Sequence, residues 1–174
     1  DGPADDGAAE DGTDPLAWFN RGQCNYYKGN YQEAIADYTR SLALDPKNVN
    51  GYFQRGLAQH KKQNYDAAIA DYSLGLALTP ADAELFYNRG LSYFDKNDLE
   101  AALTNYNEAI RLRPTYTKAF LNRGNVFFRR KESAQAIADY SRAFELDPKC
   151  GEALDNRGLA HLQKPAQYEL ALAD

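Results

Sequence analysis

Five glycines recur along this chain at a constant interval of thirty-four residues, and four prolines keep the same interval. The glycines are Gly22, Gly56, Gly90, Gly124 and Gly158, and the prolines are Pro46, Pro80, Pro114 and Pro148. Such a strict interval indicates one structural unit written several times in succession. A unit of this length cannot bury its apolar face alone, so successive copies must stack on their neighbours.

Each unit has the pattern of two short helices. Apolar residues equivalent to Tyr31, Ile35 and Leu42 recur at helical spacing and give each second helix one apolar face. The prolines stand just past each second helix and stop it. The pattern predicts helices over about 15–28 and 31–44 in the first unit, repeated with the period. Short polar side chains predict helix N-caps at Asn30, Asn48, Asn64, Asp82 and Asp98.

The repeated unit resembles the tetratricopeptide repeat from about residue 15 to the end of the chain. The aromatic that opens the first helix in that family corresponds to Trp18, Tyr52, Phe86 and Phe120, with Leu154 departing from the pattern. The small helix-crossing sites correspond to the five glycines and to Ala34, Ala68, Ala102 and Ala136. The resemblance implies an all-α, right-handed superhelix of antiparallel helix pairs, whose first helices line a concave groove.

The sequence predicts one acidic, disordered leader and one repeat domain. The leader is 1–14, and the domain is 15–174, divided into 15–48, 49–82, 83–116, 117–150 and a truncated unit 151–174. The last unit carries one additional residue near Pro165 and ends at Asp174, a few residues into its second helix. Its uncovered leucines suggest either a fragment of a longer repeat protein or a homo-oligomer formed through exposed repeat ends.

The charge of the chain resides in the leader rather than in the repeats. The formal net charge is −5, and the leader contributes six acids and no base. A nearly neutral repeat region lacks the clustered cations that nucleic-acid binding requires, so no nucleic-acid partner is predicted. No apolar stretch approaches the length of a membrane-spanning helix, so no membrane partner is predicted either. The leader normally stays solvated, but a second hypothesis has it folding back along the groove and competing with a ligand.

Candidate catalytic and metal-ligating residues are sparse, so the sequence predicts neither an enzyme nor a cofactor. His60 and His161 are expected to be satisfied or solvated rather than metal ligands. Cys24 and Cys150 should be separated by several helix layers and cannot pair. Cys24 is expected to be buried as a small apolar residue. Two isolated thiols leave the compartment open.

Arginines recur immediately before the glycines, and aspartates recur in the second helices. The arginines are Arg21, Arg55, Arg89, Arg123 and Arg157, and the aspartates are Asp37, Asp71, Asp139 and Asp174, with Asn105 in the third unit. We expect the guanidinium to pair with the carboxylate of its own unit, except that Arg89 should lack a carboxylate there because Asn105 replaces the aspartate. The alternative is an anion-binding strip along the stack.

The predicted site is a row of amides with aromatic neighbours on the first helices. The amides are Asn20, Gln54, Asn88, Asn122 and Asn156, in a row that resembles the asparagines lining the repeats of O-GlcNAc transferases. Carboxamides match the N–H and C=O groups of an extended peptide without regard to its sequence. The aromatic neighbours are Phe19, Phe53, Tyr87, Tyr26, Phe94 and Phe128, beside Leu121 and His60. The alternative is that several of these rings pack between helices.

Two further features bear on the partner. The carboxylate clamp of co-chaperone repeats is absent, because its places in the first three units hold Phe19, Gln23, Gln54, Glu84 and Asn88. The resemblance therefore makes a heat-shock chaperone tail a poor candidate ligand. Cations at Arg129, Arg130, Lys131, Lys61 and Lys62 either complement helix ends or form a patch for an acidic partner.

The sequence thus predicts a protein–protein interaction scaffold that binds an extended peptide segment of a protein partner. The alternative is a substrate-recruiting or self-associating repeat arm of a larger multidomain protein, such as a glycosyltransferase.

Overall fold

A computed structural model describes residues 12–163, and within that range every regular element is an α-helix. The helices are α1 (Pro15–Tyr27), α2 (Tyr31–Leu44), α3 (Val49–Lys61), α4 (Tyr65–Leu78), α5 (Ala83–Asp95), α6 (Leu99–Leu112), α7 (Thr117–Arg129), α8 (Ser133–Leu146) and α9 (Gly151–Leu162). Consecutive helices pack as antiparallel pairs, so the predicted all-α architecture of paired helices is confirmed. Most of the leader and the truncated second helix of the last repeat lie outside the described residues.

The chain divides into two compact units. The N-terminal unit ends at Ser92 and holds α1 to α4 with most of α5, and the C-terminal unit begins at Tyr93 and holds the end of α5 with α6 to α9. We call the first helix of each repeat (α1, α3, α5, α7, α9) the A helix, and the second (α2, α4, α6, α8) the B helix.

In the first, second and fourth repeats the A helix crosses its B helix where a glycine meets a buried tyrosine. A Cβ atom added at Gly22 would lie 2.7 Å from the ring of Tyr38, and one added at Gly124 would lie 2.6 Å from the ring of Tyr140. Both distances are shorter than a van der Waals contact, so only glycine lets the two helices approach this closely. Tyr38 and Tyr140 are at most 1% exposed.

The turn between the A and B helices uses a left-handed residue at a constant place. Gly29 fills it in the first repeat with φ +83°, whereas Gln63, Asn97 and Lys131 fill it later with φ between 61° and 68°. The following N–H closes the turn onto the A helix, as Asn64 N does on Gln59 O at 2.9 Å. This closure satisfies carbonyls at the end of the A helix and sends the chain back antiparallel.

Three of the five predicted N-caps are confirmed. Asn48 accepts from the N–H of Gly51, Asp82 accepts from Glu84 and Leu85, and Asp98 accepts from Ala101. The caps predicted at Asn30 and Asn64 are wrong, because neither side chain bonds its helix. The Asn64 amide instead donates to Gln59 Oε1 at 3.0 Å.

The predicted Arg–Asp pairing is confirmed in three repeats. Arg21 pairs with Asp37, Arg55 with Asp71 and Arg123 with Asp139, at shortest N···O distances of 2.5, 2.6 and 2.7 Å. Each pair ties an A helix to its own B helix. The hydrogen bonds that Arg21 donates to the Asp37 carboxylate raise the pKa of Arg21. The expected partner of Arg157, Asp174, lies outside the described residues.

The arginines also tie neighbouring repeats together, which the sequence analysis did not foresee. The same guanidinium donates to a polar side chain of the preceding B helix, sixteen residues earlier. The four pairs are Arg55–Thr39, Arg89–Ser73, Arg123–Asn107 and Arg157–Ser141, at 2.7 to 3.2 Å. The arginine row therefore joins adjacent repeats within each unit by charge-assisted hydrogen bonds.

The expectation that Cys24 is buried is wrong, because its thiol-bearing side chain is exposed. The equivalent residues of the later A helices, Ala58, Ser92, Val126 and Ala160, are 0% exposed. Ala58 is covered by Ala34 and Tyr38 of the preceding B helix. In the described part of the chain no helix precedes α1, so nothing equivalent covers Cys24. Cys150 is half-buried, and both thiols are free, as expected.

Candidate functional site

The predicted amide row differs in accessibility from one repeat of the N-terminal unit to the next. Asn20 is exposed and Gln54 is half-buried. Asn88 is only 9% exposed, and its Nδ2 donates to the carbonyl of Glu84 in its own helix at 2.8 Å. An amide already bonded to its own backbone offers a ligand fewer groups than Asn20 does.

The predicted aromatic residues of the N-terminal unit pack mainly on other rings. Phe19 lies 5.7 Å from Tyr38, and Phe53 lies 6.1 Å from Tyr72, between ring centroids. Tyr26 makes an edge contact with Tyr31 at 5.4 Å. Tyr87 is half-buried, and His60 packs against Tyr65. Part of each ring therefore serves the packing of A helices on B helices.

Three predicted site residues of the C-terminal unit come together around one pocket. Phe94 at the end of α5, Phe128 on α7 and Asn156 on α9 line a cavity of about 250 Å³. Asn125, Arg129, Tyr140 and Leu159 complete its lining. Leu121, from the same predicted row, lies instead in the core at 8% exposure. A cavity of this size, with apolar walls and a few polar groups, suits one large apolar side chain.

A cluster of amides and one hydroxyl forms the polar part of this pocket. Asn125 Oδ1 accepts from the hydroxyl of Tyr140 at 2.8 Å and from Nδ2 of Asn156 at 3.1 Å. Its own Nδ2 donates to Asn122 Oδ1 at 3.3 Å. This cluster joins α7, α8 and α9 and holds the carboxamide planes in fixed orientations. Burial raises the pKa of Tyr140, so its hydroxyl remains a hydrogen-bond donor.

Arg129 forms part of the rim through a cation–π contact. Its guanidinium carbon lies 4.1 Å from the ring centroid of Phe94. The neighbouring Arg130 is different, because it forms ion pairs with Glu100 and Glu132. This contact holds the Arg129 guanidinium against an aromatic wall, while the residue remains exposed to solvent.

Sequence reasoning did not include Asn125, Arg129, Tyr140 or Leu159 in the site. The sequence pattern places Arg129 at a helix end or in a patch for an acidic partner. One available signal is the break in the repeat pattern at Asn125, since Leu57, Leu91 and Leu159 occupy equivalent positions and only the first repeat also has a polar residue there, Gln23. A polar residue where most repeats have leucine marks a local change of surface.

Within residues 12–163, no group of three or more histidine, cysteine, aspartate or glutamate side chains could hold a metal ion. No helix in the same range is long and apolar enough to cross a membrane.

Comparison with protein families assigns most of the chain to one kind of repeat. Models described as tetratricopeptide repeat match residues 15–48, 37–70 and 117–150, and a model described as TPR repeat matches residues 60–96 and 90–130. No curated protein matches the chain.

Solved structures share the fold over most of the chain. A crystal structure of the MamA protein is 26% identical and has a TM-score of 0.82, covering 89% of this chain and 85% of its own. The first repeat domain of Spaghetti (RPAP3), bound to the HSP90 peptide SRMEEVD, is 29% identical with a TM-score of 0.64, covering 75% and 97%. YrrB, a repeat protein with an unusual peptide-binding site, is 21% identical with a TM-score of 0.73, covering 88% and 79%.

These similarities identify a repeat scaffold, a kind of protein that is generally non-catalytic. The repeat length, the helix pairs and the family matches agree, and the chain belongs to the tetratricopeptide repeat family.

Proposed function

We propose that this protein is an interaction module that holds an extended peptide segment of a partner against its A helices. The pocket of the C-terminal unit carries the proposal, because apolar walls and fixed amides occur there together. Phe94, Phe128 and Leu159 would bury an apolar side chain of the partner, which is the main source of affinity.

The amide cluster would bind the backbone of the same segment. Asn156 Oδ1 accepts no hydrogen bond within the described residues, although its Nδ2 is fixed by Asn125. A peptide N–H donating to this oxygen would add directional binding without reading the side chain. Asn122 remains the proposed continuation of this backbone contact in the C-terminal unit. Asn20, Gln54 and Asn88 remain proposed backbone contacts of the N-terminal unit.

A related protein supports this type of ligand. The RPAP3 repeat domain, with which this chain shares 29% identity, is bound to a peptide. From that similarity we infer only that the ligand is a peptide. We infer which side chain of the peptide is preferred from the lining of the pocket.

The test is a selection of random linear peptides displayed on phage against the full chain, followed by affinity measurements on synthetic copies of the enriched peptides. Leu159→Glu places a carboxylate at the pocket and should weaken binding about tenfold or more, since an apolar contact is lost. Leu74→Glu is the matched control, because Leu74 is 47% exposed and Leu159 is 52% exposed. Leu74 lies on B helix α4, in the N-terminal unit.

Fluorescence polarisation gives the dissociation constants, and circular dichroism checks that both variants keep their helix content. Binding that survives Leu159→Glu unchanged, or a selection that enriches no peptide, would remove the proposed function.

Self-association is a second candidate function, favoured by the exposed face of α1. Leu16 is 61% exposed and Tyr27 is 82% exposed, beside the exposed Cys24. Equilibrium sedimentation over a concentration series would show a mass above the monomer, reduced by Tyr27→Glu. A constant monomer mass would exclude it.

A further inference from the structure

Arg129 gives the rim of the pocket a positive charge that no acid of the described chain neutralises. The ion pairs of the C-terminal unit involve Arg111, Arg123, Arg130 and Arg142, and none involves Arg129. Its guanidinium carbon lies 4.1 Å from the ring centroid of Phe94, and the residue is exposed, so a carboxylate can approach its N–H groups. The donors of Arg129 therefore remain available for a ligand.

The position of this charge limits where a complementary acid can lie in the ligand. Phe94, on which Arg129 stacks, is also a wall of the cavity. An extended chain advances about 3.3 Å per residue, and every second side chain points to the same side. A carboxylate that reaches Arg129 while an apolar side chain fills the pocket must therefore lie one or two residues from it.

We propose that Arg129 makes this pocket select an internal apolar residue with an Asp or Glu side chain one or two positions away. This inference rests on the proposed function and specifies its ligand. The apolar residue supplies the burial, and the acid meets a cation already held in place by Phe94, so little side-chain order is lost on binding. A single guanidinium matches the single charge of a carboxylate.

The phage selection described above tests this preference when the enriched sequences are compared between wild type and Arg129→Gln. The displayed peptides are fused at their C-terminus, so an enriched acid is a side chain and not a terminal carboxylate. Wild type should enrich an acid beside the apolar residue, whereas Arg129→Gln should enrich the apolar residue alone. Arg142→Gln is the matched control, because Arg142 is an exposed arginine paired with Glu145.

Synthetic peptides then give the size of the effect. Replacing the acid of an enriched peptide by its amide should weaken binding to wild type about fivefold, as expected for an exposed charge pair. The same replacement should change nothing for Arg129→Gln, because the two changes remove one interaction. Added salt should reduce the wild-type advantage.

Peptides without an enriched acid, or equal losses in wild type and Arg129→Gln, would overturn this inference. If those peptides still lose affinity with Leu159→Glu, the proposed function stands and only the acidic preference is wrong. If no peptide depends on Leu159, the proposed function fails as well.

Discussion

The buried tyrosine of the first repeat and that of the fourth occupy the same place but have different polar surroundings. Tyr38, in the N-terminal unit, is 0% exposed, and its hydroxyl has no hydrogen-bond partner within the described residues. Tyr140, in the C-terminal unit, is 1% exposed and donates to Asn125. Gln23 stands where the fourth repeat has Asn125.

The difference shows how one substitution in a repeat can create a site without changing the fold. Each tyrosine packs against the glycine of its own A helix, so the helix crossing is the same. Asn125, where other repeats have leucine or glutamine, gives the buried hydroxyl a partner and also accepts from the amide of the next A helix. The packing positions preserve the repeat, and the neighbouring positions are available for function.

The largest expected effect concerns a feature that the two units share. Asp71→Ala and Asp139→Ala each leave an arginine without its carboxylate, and each should lower the free energy of unfolding by about 3 kcal/mol. The two pairs have similar burial, with arginine side chains 17% and 20% exposed and aspartates 6% and 8% exposed. Chemical denaturation followed by circular dichroism would measure both losses.

The surface pair Arg142–Glu145 is the control for this comparison. Its side chains are 48% and 63% exposed, so Glu145→Ala should cost less than about 1 kcal/mol. A clear inequality between Asp71→Ala and Asp139→Ala would mean that the units differ in their helix packing and not only in their polar groups.

The next effect is steric and tests whether the crossing is equally tight in both units. Gly22→Ala and Gly124→Ala place a Cβ less than 3 Å from a buried tyrosine ring, and each should destabilise by about 2 kcal/mol. Gly158→Ala is the matched control, because no atom of residues 12–163 lies within 4 Å of its added Cβ and alanine favours helix. In thermal unfolding, the midpoint temperature of Gly158→Ala should equal or exceed that of wild type. If Gly158→Ala lost as much stability as Gly124→Ala, the steric explanation would be wrong.

The parts of this fold that the sequence predicts are those fixed by the period. Helices predicted over about 15–28 and 31–44 begin and end within one residue of Pro15–Tyr27 and Tyr31–Leu44. The Arg–Asp pairing follows from the same source, since a constant spacing of sixteen residues always joins the same two helix faces.

The parts that the sequence leaves open depend on contacts between successive repeats. Thr39 as a second partner of Arg55, and the exposure of Cys24, are decided by which helix pair lies next in the stack. The pocket has the same origin, because Asn125 and Asn156 belong to different repeats. A periodic pattern predicts the structure at positions that are the same in every repeat. The effect of a residue that departs from the pattern, such as Asn125, depends on which residues lie next to it in the folded chain.

Removing the hydroxyl of Tyr38 or of Tyr140 should change stability in opposite directions in the two units. Tyr140→Phe loses the bond to Asn125 and should destabilise by about 1 kcal/mol, whereas Tyr38→Phe removes an unpaired buried hydroxyl and should be neutral or stabilising by up to about 1 kcal/mol. Trp18 is the single tryptophan of the chain, so its fluorescence reports on the N-terminal unit, while circular dichroism reports on both. If Tyr38→Phe destabilised the protein as much as Tyr140→Phe, the two hydroxyls would not differ in their hydrogen bonding as described.

The smallest expected effect is a dependence on pH in the N-terminal unit, where burial and pairing act on Asp71 in opposite directions. Burial raises the pKa of Asp71 above its ordinary value of 3.8, and the hydrogen bond and charge of Arg55 only partly reverse this. The folded state therefore binds more protons than the unfolded state just above pH 3.8, so this contribution to stability is complete below that pH and is lost as the pH rises through the folded pKa.

Asparagine cannot titrate, so wild type should exceed Asp71→Asn in stability by more near pH 3.8 than near neutral pH. Urea denaturation followed by Trp18 fluorescence at the two pH values measures the difference, and comparing the two proteins cancels the other carboxylates. A wild-type advantage that grows as the pH rises would instead show that pairing with Arg55 outweighs burial. In that case the Arg55–Asp71 pair, and not only the apolar contacts, would hold α3 on α4.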